Sequence, residues 1–147
     1  MIRVLLADDS DLFRSALRTF LRSQPDIELV GDAASIPETV ALAARLKPDV
    51  VLLDLHMPDR AGIVPAYVKT HLLISAEHIL TVSVWNDEES KALSDSYGAA
   101  ELLDKASLGQ QLVPTLRRLS QNSRQVSTHT TDVQPGSIAA SEFDSRR

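Results

Sequence analysis

Four places in the chain carry residues that could do chemistry together. Asp8-Asp9 ends one apolar run, Asp54 ends a second, Ser83 lies at the end of a third, and Asp104-Lys105 follows a fourth. Crowding Asp8, Asp9 and Asp54 raises at least one carboxyl pKa, because like charges disfavour ionisation. A bare phosphate would be repelled there. A hard divalent cation removes the repulsion, and Mg2+ (or Mn2+) is held by one or two carboxylates plus waters and substrate oxygens. With that charge balanced, a carboxylate can attack phosphorus and form an acyl phosphate. A hydroxyl and an ammonium can hold the remaining phosphoryl oxygens. Asp54 is the expected phosphoryl acceptor, with Ser83 and Lys105 beside it. Each residue alone has an ordinary explanation. Asp8 and Asp9 could cap a helix, Asp54 could form the turn before His56-Met57-Pro58, Ser83 could be a satisfied strand hydroxyl, and Lys105 could be solvated. Their shared position at successive strand ends sets them apart.

In an open parallel sheet, ligands sit beyond the C-terminal ends of the strands, so these residues depend on a strand–helix alternation. Apolar runs predict strands at Ile2–Ala7 and at residues 27–30, 50–53, 79–84 and 101–103. Helical spacing predicts helices at Asp11–Arg22 and at residues 37–46, 63–73, 87–97 and 107–119. Ser35 is the expected N-cap of the second helix, with Pro37 in its first turn. Gly98 is the expected end of the fourth. Five such repeats predict an α/β fold, a parallel sheet covered on both faces by helices. Two features fit less well. Pro114 inside the fifth helix should bend it or leave a carbonyl unpaired. The fourth helix has a weak apolar face, mainly Ala92 and Leu93, which predicts loose packing.

The 147 residues suit one domain. Apolar residues make up 44% and aromatic residues only 4%, so the core must be aliphatic. A net charge of −5 argues against a general nucleic-acid surface, which needs clustered Lys and Arg. The absence of cysteine excludes disulfides and thiolate metal sites. No apolar run approaches the ~18 residues of a membrane helix, and the N-terminus lacks a secretory pattern. A cytoplasmic location without membrane contact is expected. From Ser120 onward, Ser, Thr, Gln and Asn dominate, and the arginines there cancel the acids, so the negative charge belongs to residues 1–119. The expected division is a domain at 1–120 and a polar, disordered tail or linker at 121–147.

The chain resembles the receiver domain of two-component response regulators over about residues 1–120. The resemblance rests on Val4-Leu5-Leu6-Ala7-Asp8-Asp9, on the run from Pro48 through Asp54 to Pro58, on Gly62, on residues 79–83, and on Gly98-Ala99 followed by Lys105. Asp11-Leu12-Phe13-Arg14 and the stretch from Gln24 to Gly31 look most like the NarL/FixJ branch. The resemblance implies a flavodoxin-like (βα)5 three-layer sandwich with strand order 2-1-3-4-5. It implies Asp54 as phosphoacceptor, and Mg2+ ligated by Asp9 and Asp54, by Asp8 through water, and by the His56 backbone carbonyl. Ser83 would swing toward the phosphoryl group and Lys105 would pair with it. The implied donor is a sensor histidine kinase or phosphotransfer protein, and homodimers are common in the family. The chain also departs from the pattern. Leu102 stands where the family often has a switching aromatic, and Ala106 follows Lys105 in place of the common proline. Val84 is larger than the usual residue after the switch hydroxyl. His56 and Trp85 occupy the positions that tune acyl-phosphate hydrolysis, and this bulky pair predicts slow self-dephosphorylation.

Two other functions compete. Asp9-Ser10-Asp11 after a strand also fits the opening motif of haloacid-dehalogenase-type phosphatases, but no acidic pair follows Lys105 and no cap insertion is present. Alternatively, the chain is the receiver fragment of a transcription regulator whose helix-turn-helix domain is missing. Residues 120–147 are too few and too polar for such a domain, so no specific DNA binding is expected of this chain alone.

Overall fold

The computed structural model describes residues 1–123. All but the first three residues of the expected tail therefore lie outside the described residues. Strands β1 (Ile2–Ala7), β2 (Ile27–Ala33), β3 (Val50–Asp54), β4 (His78–Ser83) and β5 (Glu101–Asp104) alternate with helices α1 (Asp11–Arg22), α2 (Ile36–Leu46), α3 (Pro65–Leu73), α4 (Glu88–Ser96) and α5 (108–123). All strand pairs are parallel, in the order β2-β1-β3-β4-β5. This is the (βα)5 three-layer architecture.

The central strand reads as predicted: every residue of Val50–Asp54 is buried. Alternating side chains split the aliphatic core into two layers. One holds Val4, Leu6, Leu52, Leu80 and Val82 against Leu17 and Leu21 of α1 and Leu112 and Leu116 of α5. The other holds Leu5, Val51, Leu53 and Ile79 against α2, α3 and Tyr97. Local signals set the helix ends. Ser35 caps α2 by accepting from the Glu38 amide, and Glu38 accepts from the Ala34 amide. Gly98 has φ +77° just past α4, and a Cβ there would come within 2.8 Å of the Lys69 side chain.

Several elements differ from expectation. β2 continues three residues further, through Asp32 to Ala33, as a half-buried edge strand. A 3-10 turn spans Pro58–Gly62, so α3 starts later than predicted. The fifth helix continues through Pro114 and reaches 123. It is preceded by a 3-10 turn at Lys105–Ser107, and the peptide after Lys105 is not cis. α4 does not pack through Ala92, which is exposed. Its buried face is Ser90 and Ser94, with Leu93 half-buried. The Ser94 hydroxyl lies 2.6 Å from the Thr81 hydroxyl of β4, and Thr81 also donates to the Glu101 carbonyl at 3.2 Å.

A buried hydroxyl that loses its partner keeps its desolvation penalty. Thr81→Val or Ser94→Ala alone should therefore cost about 1–3 kcal/mol in urea unfolding. The double variant should cost less than the two single losses added together.

Candidate functional site

Strand register assembles the site. Ala7 pairs with Leu53, Asp54 with Val82, and Ser83 with Asp104. Asp8, Asp54, Ser83 and Lys105 thus fall on one edge of the sheet, within a residue of the last paired positions. Ser10 begins α1 immediately afterwards, its hydroxyl accepting from the Phe13 amide. The acidic turn is thereby pinned between a strand end and a helix start.

Oxygens of Asp8, Asp9 and Asp54 lie within 4.8 Å of one another. Asp8 is buried, Asp54 is 8% exposed, and Asp9 is exposed. Asp8 accepts from the Ser10 amide at 2.8 Å, and Asp54 accepts from the His56 amide at 3.2 Å. Lys105 reaches across the edge. Its Nζ is 2.8 Å from Asp8 and 3.9 Å from Asp54, and it sits 4.2 Å above the Phe13 ring. The lysine is therefore seated on an aromatic face as well as paired with carboxylates. Burial, then the neighbouring Asp8 charge, push the Asp54 carboxyl above its ordinary range, while Lys105 and the His56 amide pull it down. An all-oxygen donor set of three close carboxylates suits Mg2+ or Mn2+ and does not suit a soft metal.

Ser83 is engaged on the other side. Its hydroxyl accepts from the Trp85 amide at 2.9 Å and lies 3.2 Å from His56 Nε2. The His56 and Trp85 rings meet edge to face at 4.9 Å. Trp85 is 58% exposed, and with His56, Arg60, Asp87 and Leu93 it lines a groove of about 450 Å3 beside the site. Val84 lies just past β4 with its side chain exposed. Leu102 is half-buried against the core layer under α2, α3 and Tyr97.

Sequence reasoning marked Phe13 as part of a family-like motif and did not show it as the seat of Lys105. It also missed Arg14 and Asp32, which pair beside the acidic turn. The only signal in the sequence was an arginine three residues after Asp11 in the acidic run, and hydrophobic patterning does not separate such a residue from a solvated surface cation.

A family profile described as the response regulator receiver domain matches residues 4–117. The transcriptional regulatory protein LiaR of Bacillus subtilis strain 168 is 37% identical over 120 residues, covering 82% of this chain and 56% of LiaR. The transcriptional regulatory protein BtsR of Salmonella typhi is 34% identical over 124 residues, covering 82% of this chain and 49% of BtsR. The signal receiver domain of the response regulator NarL from Mycobacterium tuberculosis superposes with TM-score 0.69 at 26% identity, covering 82% of this chain and 96% of that one. The response regulator domain of Thermotoga maritima CheB gives TM-score 0.69 at 30% identity, covering 81% and 96%. The likeness is of NarL/FixJ type. The chain spans about half or less of the first curated relatives it matches. Among the described residues, no helix is long and apolar enough to cross a membrane.

The folded protein holds the Asp54 proton to higher pH than the unfolded chain does. Ionising it therefore costs stability as pH rises through the folded value. Without metal, Asp54→Asn should raise the melting temperature at pH 7, and the gain should shrink as pH falls toward the ordinary carboxylate range. Thermal unfolding at a series of pH values measures this.

Proposed function

The chain belongs to the response regulator receiver-domain family of two-component systems, and we propose that it accepts a phosphoryl group on Asp54 in a Mg2+-dependent reaction. The observation that carries this is the packing of Asp8, Asp9 and Asp54 around one point, with Lys105 bridging Asp8 and Asp54. An Asp54 oxygen would attack phosphorus, forming the O–P bond as the P–N bond of a donor phosphohistidine breaks. Asp8, Asp9, Asp54 and the His56 carbonyl would hold Mg2+ (or Mn2+), which when bound offsets negative charge on the transferring group. Lys105 would turn from Asp8 toward a phosphoryl oxygen. Ser83 would have to give up its present partners, His56 and the Trp85 amide, to do the same.

The donor is a sensor histidine kinase or a phosphotransfer protein, and the reaction belongs in the cytoplasm. The domain would promote its own phosphorylation and dephosphorylation and is not otherwise an enzyme. The His56–Trp85 pair borders the switch hydroxyl and would hinder in-line water, so the acyl phosphate should be long-lived. A second reading concerns output. LiaR and BtsR are named transcriptional regulatory proteins, and this chain covers about half of each. On this reading the receiver is the regulatory half of a longer DNA-binding protein, which the length of the native reading frame tests.

Incubation with acetyl phosphate and Mg2+ should add one phosphoryl group by intact mass. The adduct should vanish with Asp54→Ala or with chelator. Adduct formation unaffected by both would contradict the assignment. Trp85→Ala should shorten the adduct lifetime several-fold, and an unchanged lifetime would remove Trp85 from a tuning role.

A further inference from the structure

Arg14 makes three contacts around the acidic turn while only 14% of its side chain is exposed. Nη1 donates to the Asp8 main-chain carbonyl at 2.5 Å. Nη2 pairs with the Asp11 carboxylate in the first turn of α1. Nε lies 3.4 Å from an Asp32 oxygen at the end of β2, an ionic contact in which the buried N–H has no hydrogen-bond partner. One guanidinium thus ties β1, α1 and β2 together at the edge of the site. Its fixed fork of donors makes this possible, which an ammonium cannot reproduce.

The Asp8 carbonyl belongs to the peptide unit that joins Asp8 to Asp9. Clamping it fixes the backbone from which both carboxylates project. Asp8 has further restraints: its amide donates to the Ala33 carbonyl at 3.0 Å, and its carboxylate meets the Ser10 amide and Lys105. The exposed Asp9 side chain has no hydrogen bond or ion pair with a described residue. Its aim into the cluster therefore depends on the backbone that Arg14 holds.

We propose that Arg14 is a positioning residue for divalent-cation binding, acting by clamping the Asp8–Asp9 peptide. This rests on the metal reading of the acidic cluster given above. The sign of the effect separates it from simple electrostatics. A guanidinium beside a cation site repels the cation. Were charge the whole of its role, removing Arg14 would tighten Mg2+ binding, and Arg14→Lys would behave as wild type.

The test is Mg2+ titration of the purified chain, read by calorimetry and by fluorescence of the single tryptophan, Trp85, with melting temperature recorded for each variant. Arg14→Ala and Arg14→Lys should both weaken Mg2+ binding, by about 10-fold for the first, the scale on which outer-shell partners act. Arg18→Ala removes the other arginine paired with Asp32 and should leave Mg2+ affinity unchanged. If Arg14→Ala does not fold, Arg14→Lys alone decides. Unchanged or tighter binding in the folded Arg14 variants would overturn the clamp while leaving the metal reading intact. Wild-type protein that binds no Mg2+ would overturn both.

Discussion

Crowded negative charge at one sheet edge is the constraint that orders the rest of this structure. Asp8 and Asp54 are both buried, and their carboxylates share a small space with Asp9. Burying like charges is costly unless something offsets them. Here the offset is Lys105, paired with Asp8 and seated on Phe13. Burial first, and the Asp8 charge second, still hold the Asp54 carboxyl above its ordinary range, so Lys105 offsets the cost only in part. That residual imbalance suits a site where a divalent cation and a phosphoryl group are received.

An aliphatic scaffold makes the arrangement rigid. Val50–Asp54 is buried along its whole length; residues 50–53 pair with both β1 and β4, and Asp54 pairs with Val82 of β4, so the strand cannot shift without breaking two ladders. The softer region is α4. Its contact with β4 includes a hydroxyl pair, Thr81 and Ser94, and Thr81 stands two residues before Ser83 on the same strand face. A helix held partly by hydroxyls and half-buried Leu93 has few apolar contacts to lose, so it would be the element to move if Ser83 exchanged partners as proposed.

Much of this was legible in the sequence because two simple periodicities carry it. The run Val50-Val51-Leu52-Leu53 marks the central strand, and once the strands are parallel, the residues after them must share an edge. Asp8, Asp54, Ser83 and Lys105 follow from that rule alone. The polar connections were not legible. Asp32 lies in a half-buried edge strand whose mixed polarity hides its end. Ser90 and Ser94 form the buried face of α4, where patterning pointed to Ala92. Arg14 reads as one more surface cation on an amphipathic helix until its partners are seen in space. The family resemblance added the strand order and the roles of individual side chains, which spacing could not provide.

The phosphoryl group is assigned, as proposed, to Asp54 rather than to a neighbouring carboxylate. Borohydride reduces an acyl phosphate to an alcohol and so marks its position permanently. After treatment with acetyl phosphate and Mg2+, reduction and peptide mass mapping should place homoserine at position 54 and leave Asp8 and Asp9 as aspartate. Homoserine arising from Asp8 or Asp9, or an unmodified Asp54 in protein that has gained a phosphoryl group, would contradict that assignment.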